Sequence, residues 1–186
     1  MRSSADAPRS TDDALSALTA ILARPGAVVL IDGRSGAGKT TFAARLADAA
    51  GGGVVRLALD DVYPGWDGLR AGADAVIAGV LAPLRDGRDG AWTAWDWAAG
   101  AQGASHTVPA GSCLVVEGAG ILTPASAQLA DATVWVDTPD DVRRRRALTR
   151  DGDAYAPHWE RWARQEDEHL RRHRPHVLAG IRVAGE

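Results

Sequence analysis

Gly33-Arg34-Ser35-Gly36-Ala37-Gly38-Lys39-Thr40 decides the reading of this chain. It satisfies the pattern G-x-x-x-x-G-K-[S/T] at every position, and its neighbours supply the context the pattern needs. Ahead of it, Ala27-Val28-Val29-Leu30-Ile31 is a short apolar, β-branched run that predicts a buried parallel strand. Behind it, residues 41–50 predict a helix. A strand, a glycine loop and a helix start together make an anion cradle, because the unpaired N–H groups of the first helical turn point at phosphate oxygens and the helix dipole adds to them. Gly33, Ser35, Gly36, Ala37, Gly38, Lys39, Thr40 and Thr41 are therefore the candidate nucleotide-binding residues. Lys39 is placed to reach β- and γ-phosphates and the Thr40 hydroxyl to ligate Mg²⁺. Lys39 is also the sole lysine among 21 Lys and Arg residues, at a position where a guanidinium replaces a compact ammonium poorly. A chance glycine-rich turn is the alternative in a Gly- and Ala-rich chain, and it leaves that placement unexplained.

Outward from the loop, strand and helix patterns alternate. Residues 1–10 are polar and aperiodic and predict a disordered tail; residues 11–186 form one domain. A helix capped by Ser10 or Thr11 runs to about residue 23. Val54-Val55-Arg56-Leu57-Ala58-Leu59 predicts a second strand, ending in Asp60-Asp61-Val62-Tyr63. Residues 69–84 predict a helix. Ser112-Cys113-Leu114-Val115-Val116-Glu117-Gly118 gives a third strand, residues 132–137 a fourth, and residues 177–183 a fifth. The expected architecture is α/β: a five-stranded parallel sheet flanked by helices, with a Trp-rich hairpin insertion and a short Arg-bearing lid at about residues 146–158. In such a sheet, ligands bind at the carboxyl ends of the strands. Glu117 and one of the adjacent pair Asp60 and Asp61 thus fall on the same rim as the loop. Thr40, Glu117 and Asp60 are the candidate Mg²⁺ ligands.

Three of the seven tryptophans cluster at Trp92, Trp95 and Trp97. In a strand, Trp95 and Trp97 share one face and Asp96 takes the other. Their pattern suits an aromatic ligand wall and a hairpin core about equally. Arg143, Arg146 and Arg150 follow the i, i+3, i+7 spacing of one helical face, and arginines at the start of a lid can neutralise a transferring phosphoryl group. A final helix over residues 158–173 packs through Trp159, Trp162 and Leu170, with His169 and His173 toward solvent. The net charge of −3 gives no general attraction to nucleic acid or anionic membrane. A single cysteine, Cys113, excludes an internal disulfide and points to the cytoplasm. No apolar run approaches the roughly 18 residues of a membrane span.

Several of these segments, taken together, resemble the uridine kinase branch of the phosphate-loop kinases. Gly36-Ala37-Gly38-Lys39-Thr40-Thr41 resembles their loop. Asp60-Asp61-Val62-Tyr63 resembles their D-x-[FY]-Y segment, Trp95-Asp96-Trp97 their Y-D-F acceptor segment, and Val115-Val116-Glu117-Gly118 their V-x-E-G metal strand. Val136-Asp137-Thr138 with Arg145-Arg146 and Arg150-Asp151 resembles their D-T…R-R…R-D lid helix. The resemblance covers about residues 28–151. It implies an ATP- and Mg²⁺-dependent kinase acting on a hydroxyl of a small molecule, a nucleoside first. It implies Asp60 as catalytic base, Lys39, Arg146 and Arg150 on the phosphates, and Tyr63, Trp95, Asp96 and Trp97 around the acceptor. A nucleoside monophosphate kinase, another metabolite kinase and a regulatory ATPase are the alternatives, and a homodimer stays open. The pattern departs in a shorter segment between Asp60 and the tryptophans, in Gly100 where those kinases carry a histidine, and in a lid without R-G-R.

Overall fold

The computed structural model describes residues 9–185. The expected tail at residues 1–10 falls mostly outside that range. Its last two residues are paired, which corrects the boundary: the Arg9 N–H donates to the Arg182 carbonyl at 2.8 Å, and the Ser10 hydroxyl accepts from the Asp13 N–H as N-cap of α1 (Thr11–Leu22).

Five strands, β1 (Val28–Asp32), β2 (Val54–Ala58), β5 (Cys113–Glu117), β6 (Ala132–Asp137) and β7 (Ile181–Ala184), form one parallel sheet in the order β2-β5-β1-β6-β7. The apolar run that ends in Asp32 is central and buried along its whole length. The second strand is only partly buried and lies at an edge. Alternate residues feed two core layers. Val29, Ile31, Val115, Val134 and Val136 pack against α1 and against α2 (Lys39–Ala49) through Leu18, Phe42 and Leu46. Val28, Leu30, Leu57, Leu114 and Val116 pack on the other side against α3 (Leu69–Val76) and α7 (Trp159–His173) through Leu69, Val76, Trp159 and Trp162. Each fully buried Leu in these layers removes apolar surface worth about 1.5–3 kcal/mol.

Register puts the acids where the chemistry would need them. Ala58, Glu117 and Ile31 sit side by side across β2, β5 and β1. Glu117 therefore flanks the start of the glycine loop, and Asp60 follows two residues after Ala58, in the turn that leaves β2. Three of the predicted elements differ in detail. The helix over residues 69–84 changes pitch: α3 passes through a π-turn, Ile77–Leu81, into α4 (Ala82–Arg85). Pro83 lacks an N–H and its ring opposes the carbonyl four residues earlier, which disfavours a regular α ladder there. The fifth strand is shorter than residues 177–183, because Val177 and Leu178 close the helix α8 (Pro175–Leu178) behind Pro175. The hairpin pairs β3 (Gly90–Asp96) with β4 (Ala101–Val108) and carries an irregularity between Thr93 and Trp95. Trp97 lies beyond the strand, in the turn. The basic helix α6 (Asp140–Tyr155) breaks at Gly152, φ 50° and ψ −133°. Among the described residues no helix is long and apolar enough to cross a membrane.

Candidate active site

The glycine loop follows directly from β1 and ends at Gly38, whose φ of 98° starts α2. Positive φ favours glycine there. Gly36 has a second reason: a Cβ on it would stand 2.0 Å from the Arg143 carbonyl oxygen, so the loop lies directly on the first turns of α6. Thr138 donates its hydroxyl to the Ala37 carbonyl at 3.0 Å. The Lys39 ammonium donates to the Arg34 carbonyl at 3.2 Å, and the Thr40 hydroxyl to a Glu117 carboxylate oxygen at 2.9 Å. Glu117 is buried, and that burial pushes its pKa above the ordinary carboxylate range; Lys39 opposes the shift and nearby Asp60 adds to it. Gly36→Ala is accordingly expected to displace the loop from α6 and weaken nucleotide phosphate binding by about tenfold or more, in line with the 1–3 kcal/mol cost of overpacking. Titration with ADP checks this; unchanged affinity would show that α6 yields freely.

Behind the loop lies a polar network that the sequence reading missed. Asp32, 1% exposed, accepts from the Gly33 and Gly120 N–H groups at 2.7 and 3.1 Å on one oxygen. On the other it meets the Leu122 N–H at 2.8 Å and the His169 Nε2 at 3.0 Å. His169 is thus buried on Asp32, correcting its expected place in solvent. His173 is half-buried, and burial with the adjacent His169 and Arg172 lowers its pKa. Glu166, one turn earlier on α7, accepts from the Ser35 N–H at 2.7 Å and from Arg34 at 3.1 Å. Buried polar groups left unpaired are costly, so α7 and β1 together fix the loop from its far side. Arg143 also departs from expectation: it is buried, bonded to Asp140 at 2.6 Å and 5.5 Å over the Trp159 ring, leaving Arg146 and Arg150 as the arginines of that face beside the loop.

Two cavities open on this rim. One, about 230 Å³, is bounded by Gly36, Gly38, Lys39, Thr40, Thr41, Arg146 and Arg150. The other, about 180 Å³, is bounded by Asp60, Tyr63, Trp66, Trp97, Tyr155 and Trp162, with Ser35 and Arg150. Arg150 lines both. The second cavity's aromatic wall centres on Trp66, which stacks on His158 at 4.3 Å and on Tyr155 at 5.4 Å, and meets Trp97 at 4.8 Å. Sequence reading singled out neither Trp66 nor Tyr155; the order of a turn and a lid does not show that they converge. Tyr63 lines this cavity while buried, donating its hydroxyl to the Ala119 carbonyl at 2.7 Å. Asp60 faces it, and Trp97 donates its indole N–H to the Asp60 carbonyl at 2.8 Å.

The remaining sequence candidates sit elsewhere. Trp95 is half-buried against Gly65 and does not line the cavity. The irregularity before it and the turn after it separate its direction from that of Trp97. Asp96 is exposed and accepts from the Ala98 and Ala99 N–H groups at 2.9 Å, closing the hairpin turn. Trp92 stacks on His106 across the hairpin at 4.3 Å. Among the described residues no group of three or more His, Cys, Asp or Glu is placed to hold a metal ion.

No protein-family model matches the chain, and no curated protein matches it. Solved structures share its fold, two of them as follows. A structure described as a possible uridine kinase from Bacillus stearothermophilus aligns over 93% of this chain and 96% of its own, with a TM-score of 0.68 and 19% identity. A "putative fructose transport system kinase" from Silicibacter sp. TM1040 aligns over 92% of this chain and 98% of its own, with a TM-score of 0.59 and 19% identity. The chain shares with both a five-stranded parallel sheet flanked by helices.

Proposed function

We propose that the protein is an ATP-dependent kinase that transfers the γ-phosphoryl group to a hydroxyl of a small molecule, a nucleoside first among acceptors. The observation that carries this reading is Arg150, which lines both the phosphate-loop cavity and the aromatic cavity. A phosphoryl group leaving one and a hydroxyl held in the other would meet under one guanidinium. Phosphoryl transfer asks mainly for positioning and charge stabilisation. Lys39 and the loop amides hold the phosphates, Arg146 and Arg150 cover the transferring group, and Asp60 accepts the proton of the acceptor hydroxyl or orients it.

The hydroxyl of Thr40 and the carboxylate of Glu117, 2.9 Å apart, are hard oxygen donors of the kind that hold Mg²⁺ together with substrate phosphates rather than in an all-protein cage. Bound there, Mg²⁺ would neutralise charge on the β- and γ-oxygens. Tyr63 supports the cavity as a buried wall, Trp66 backs it through its stack on His158 and Tyr155, and the exposed Trp97 offers a flat face to a ring. An aromatic wall accepts any flat ring that carries a hydroxyl, so other small hydroxyl compounds compete with nucleosides as candidates. Measuring ADP release with and without a panel of nucleosides and other alcohols tests the reading. Release that no acceptor stimulates would favour an ATPase instead.

The two tryptophans of the hairpin should separate in the same assay. Stacking a base on an indole is worth about 1–3 kcal/mol, so Trp97→Ala is expected to raise the acceptor KM by roughly ten- to a hundredfold with the ATP KM nearly unchanged. Trp95→Ala should instead lower the melting temperature, by less than the about 3–5 kcal/mol equivalent of a fully buried Trp, and leave both KM values alone. Equal effects on ATP and acceptor would remove Trp97 from the site.

A further inference from the structure

A further cavity lies away from the loop rim. It measures about 690 Å³ and lies between α3, the turn after β5 and the outer face of α7. It shares no residue with the two cavities described above. One part of its wall is apolar, from Leu69, Ala73 and Ile77. The charged part is unevenly paired. Asp67 is taken by Arg161, Asp74 by Arg70 at 3.3 Å, and Glu168 by Arg171. Arg164 and Arg172, also in the wall, form no ion pair among the described residues. The cavity therefore presents two guanidinium groups outside those ion pairs, beside an apolar surface. Its volume falls in the range of about 300–1,000 Å³ typical of small-molecule sites.

We propose that this cavity is a second ligand site, for an organic anion with a flat apolar body whose carboxylate or phosphate head is held by Arg164 or Arg172. Guanidinium forks match both head groups bidentately, while the body would lie on Leu69, Ala73 and Ile77. The site is distinct from the two rim cavities, although its inner wall reaches the support of the loop: Gly120 and His169 line it and bond Asp32, while Arg164 and Arg172 border its outer side.

Calorimetric titration of the intact protein with 2-naphthoate, 2-naphthyl phosphate and neutral 2-naphthamide tests the proposal without relying on any activity. At least one anion is expected to bind one-to-one and about ten- to a hundredfold more tightly than the amide, the span of charge-assisted hydrogen bonds. The preferred anion identifies the head group. The double variant Arg164→Gln/Arg172→Gln should lose that preference while keeping its melting curve, since both side chains are exposed, and Arg164→Lys/Arg172→Lys should retain part of it. The proposal is overturned if neither anion saturates, if the amide binds as well, or if the glutamine variant keeps the preference. That last result, seen with the phosphate alone, would place the binding at the glycine loop.

Discussion

Lys39→Ala is expected to lower phosphoryl transfer by about 10²-fold or more, the usual loss when a preorganised charge on the transition state is removed. The fold should survive. The side chain is half-buried, contributes one hydrogen bond to the Arg34 carbonyl and belongs to neither core layer. The loop around it is held independently, by Glu166 on the Ser35 N–H, Thr138 on the Ala37 carbonyl and Asp32 on the Gly33 N–H. An unchanged melting curve with nearly abolished ADP formation is the expected pair of results. Turnover close to wild type in a folded variant would remove the kinase reading, because no other lysine exists in the chain to take over.

That loop was legible because its chemistry is local: eight consecutive residues, a strand before and a helix after. The rim acids were legible for a related reason, since an apolar run ending in an acid marks a strand's carboxyl end whichever strands flank it. What could not be read depends on partners far apart in sequence. Asp32 and His169 are separated by 137 residues, Ser35 and Glu166 by 131. His169 does fall seven residues beyond Trp162, on the inward face of α7, but a polar side chain there shows no partner in sequence and so reads as solvent-facing. Arg143, Arg146 and Arg150 do share a helical face, but the helix meets Gly36 only at Arg143, so the same spacing yields one buried residue and two that line the phosphate-loop cavity. The same-face argument for Trp95 and Trp97 assumed an unbroken strand, and the irregularity after Thr93 and the turn after Asp96 removed that premise.

Asp60 and Asp61 are the pair whose roles the sequence left open, and the local geometry separates them. They lie in a 3₁₀ turn, Leu59–Asp61, where successive side chains point about 120° apart. Asp60 lines the aromatic cavity with Arg150, and its carbonyl is held by the Trp97 indole. Asp61 feels His106 of the hairpin; partial burial, with Asp60 beside it, raises its pKa. Asp60→Asn is therefore expected to lower kcat by about 10²–10⁴-fold, the range for a lost general base, with ADP affinity largely kept. Asp61→Asn should change kcat little. Its effect on stability has a definite sign: a raised folded pKa means that the folded state holds the proton more tightly, so the charged carboxylate costs stability once pH exceeds that pKa. Removing the charge should leave the protein as stable or slightly more stable at neutral pH. If Asp61→Asn instead abolishes turnover while Asp60→Asn spares it, the proton acceptor is Asp61, and the cavity bounded by Trp66, Trp97 and Arg150 does not hold the reacting hydroxyl.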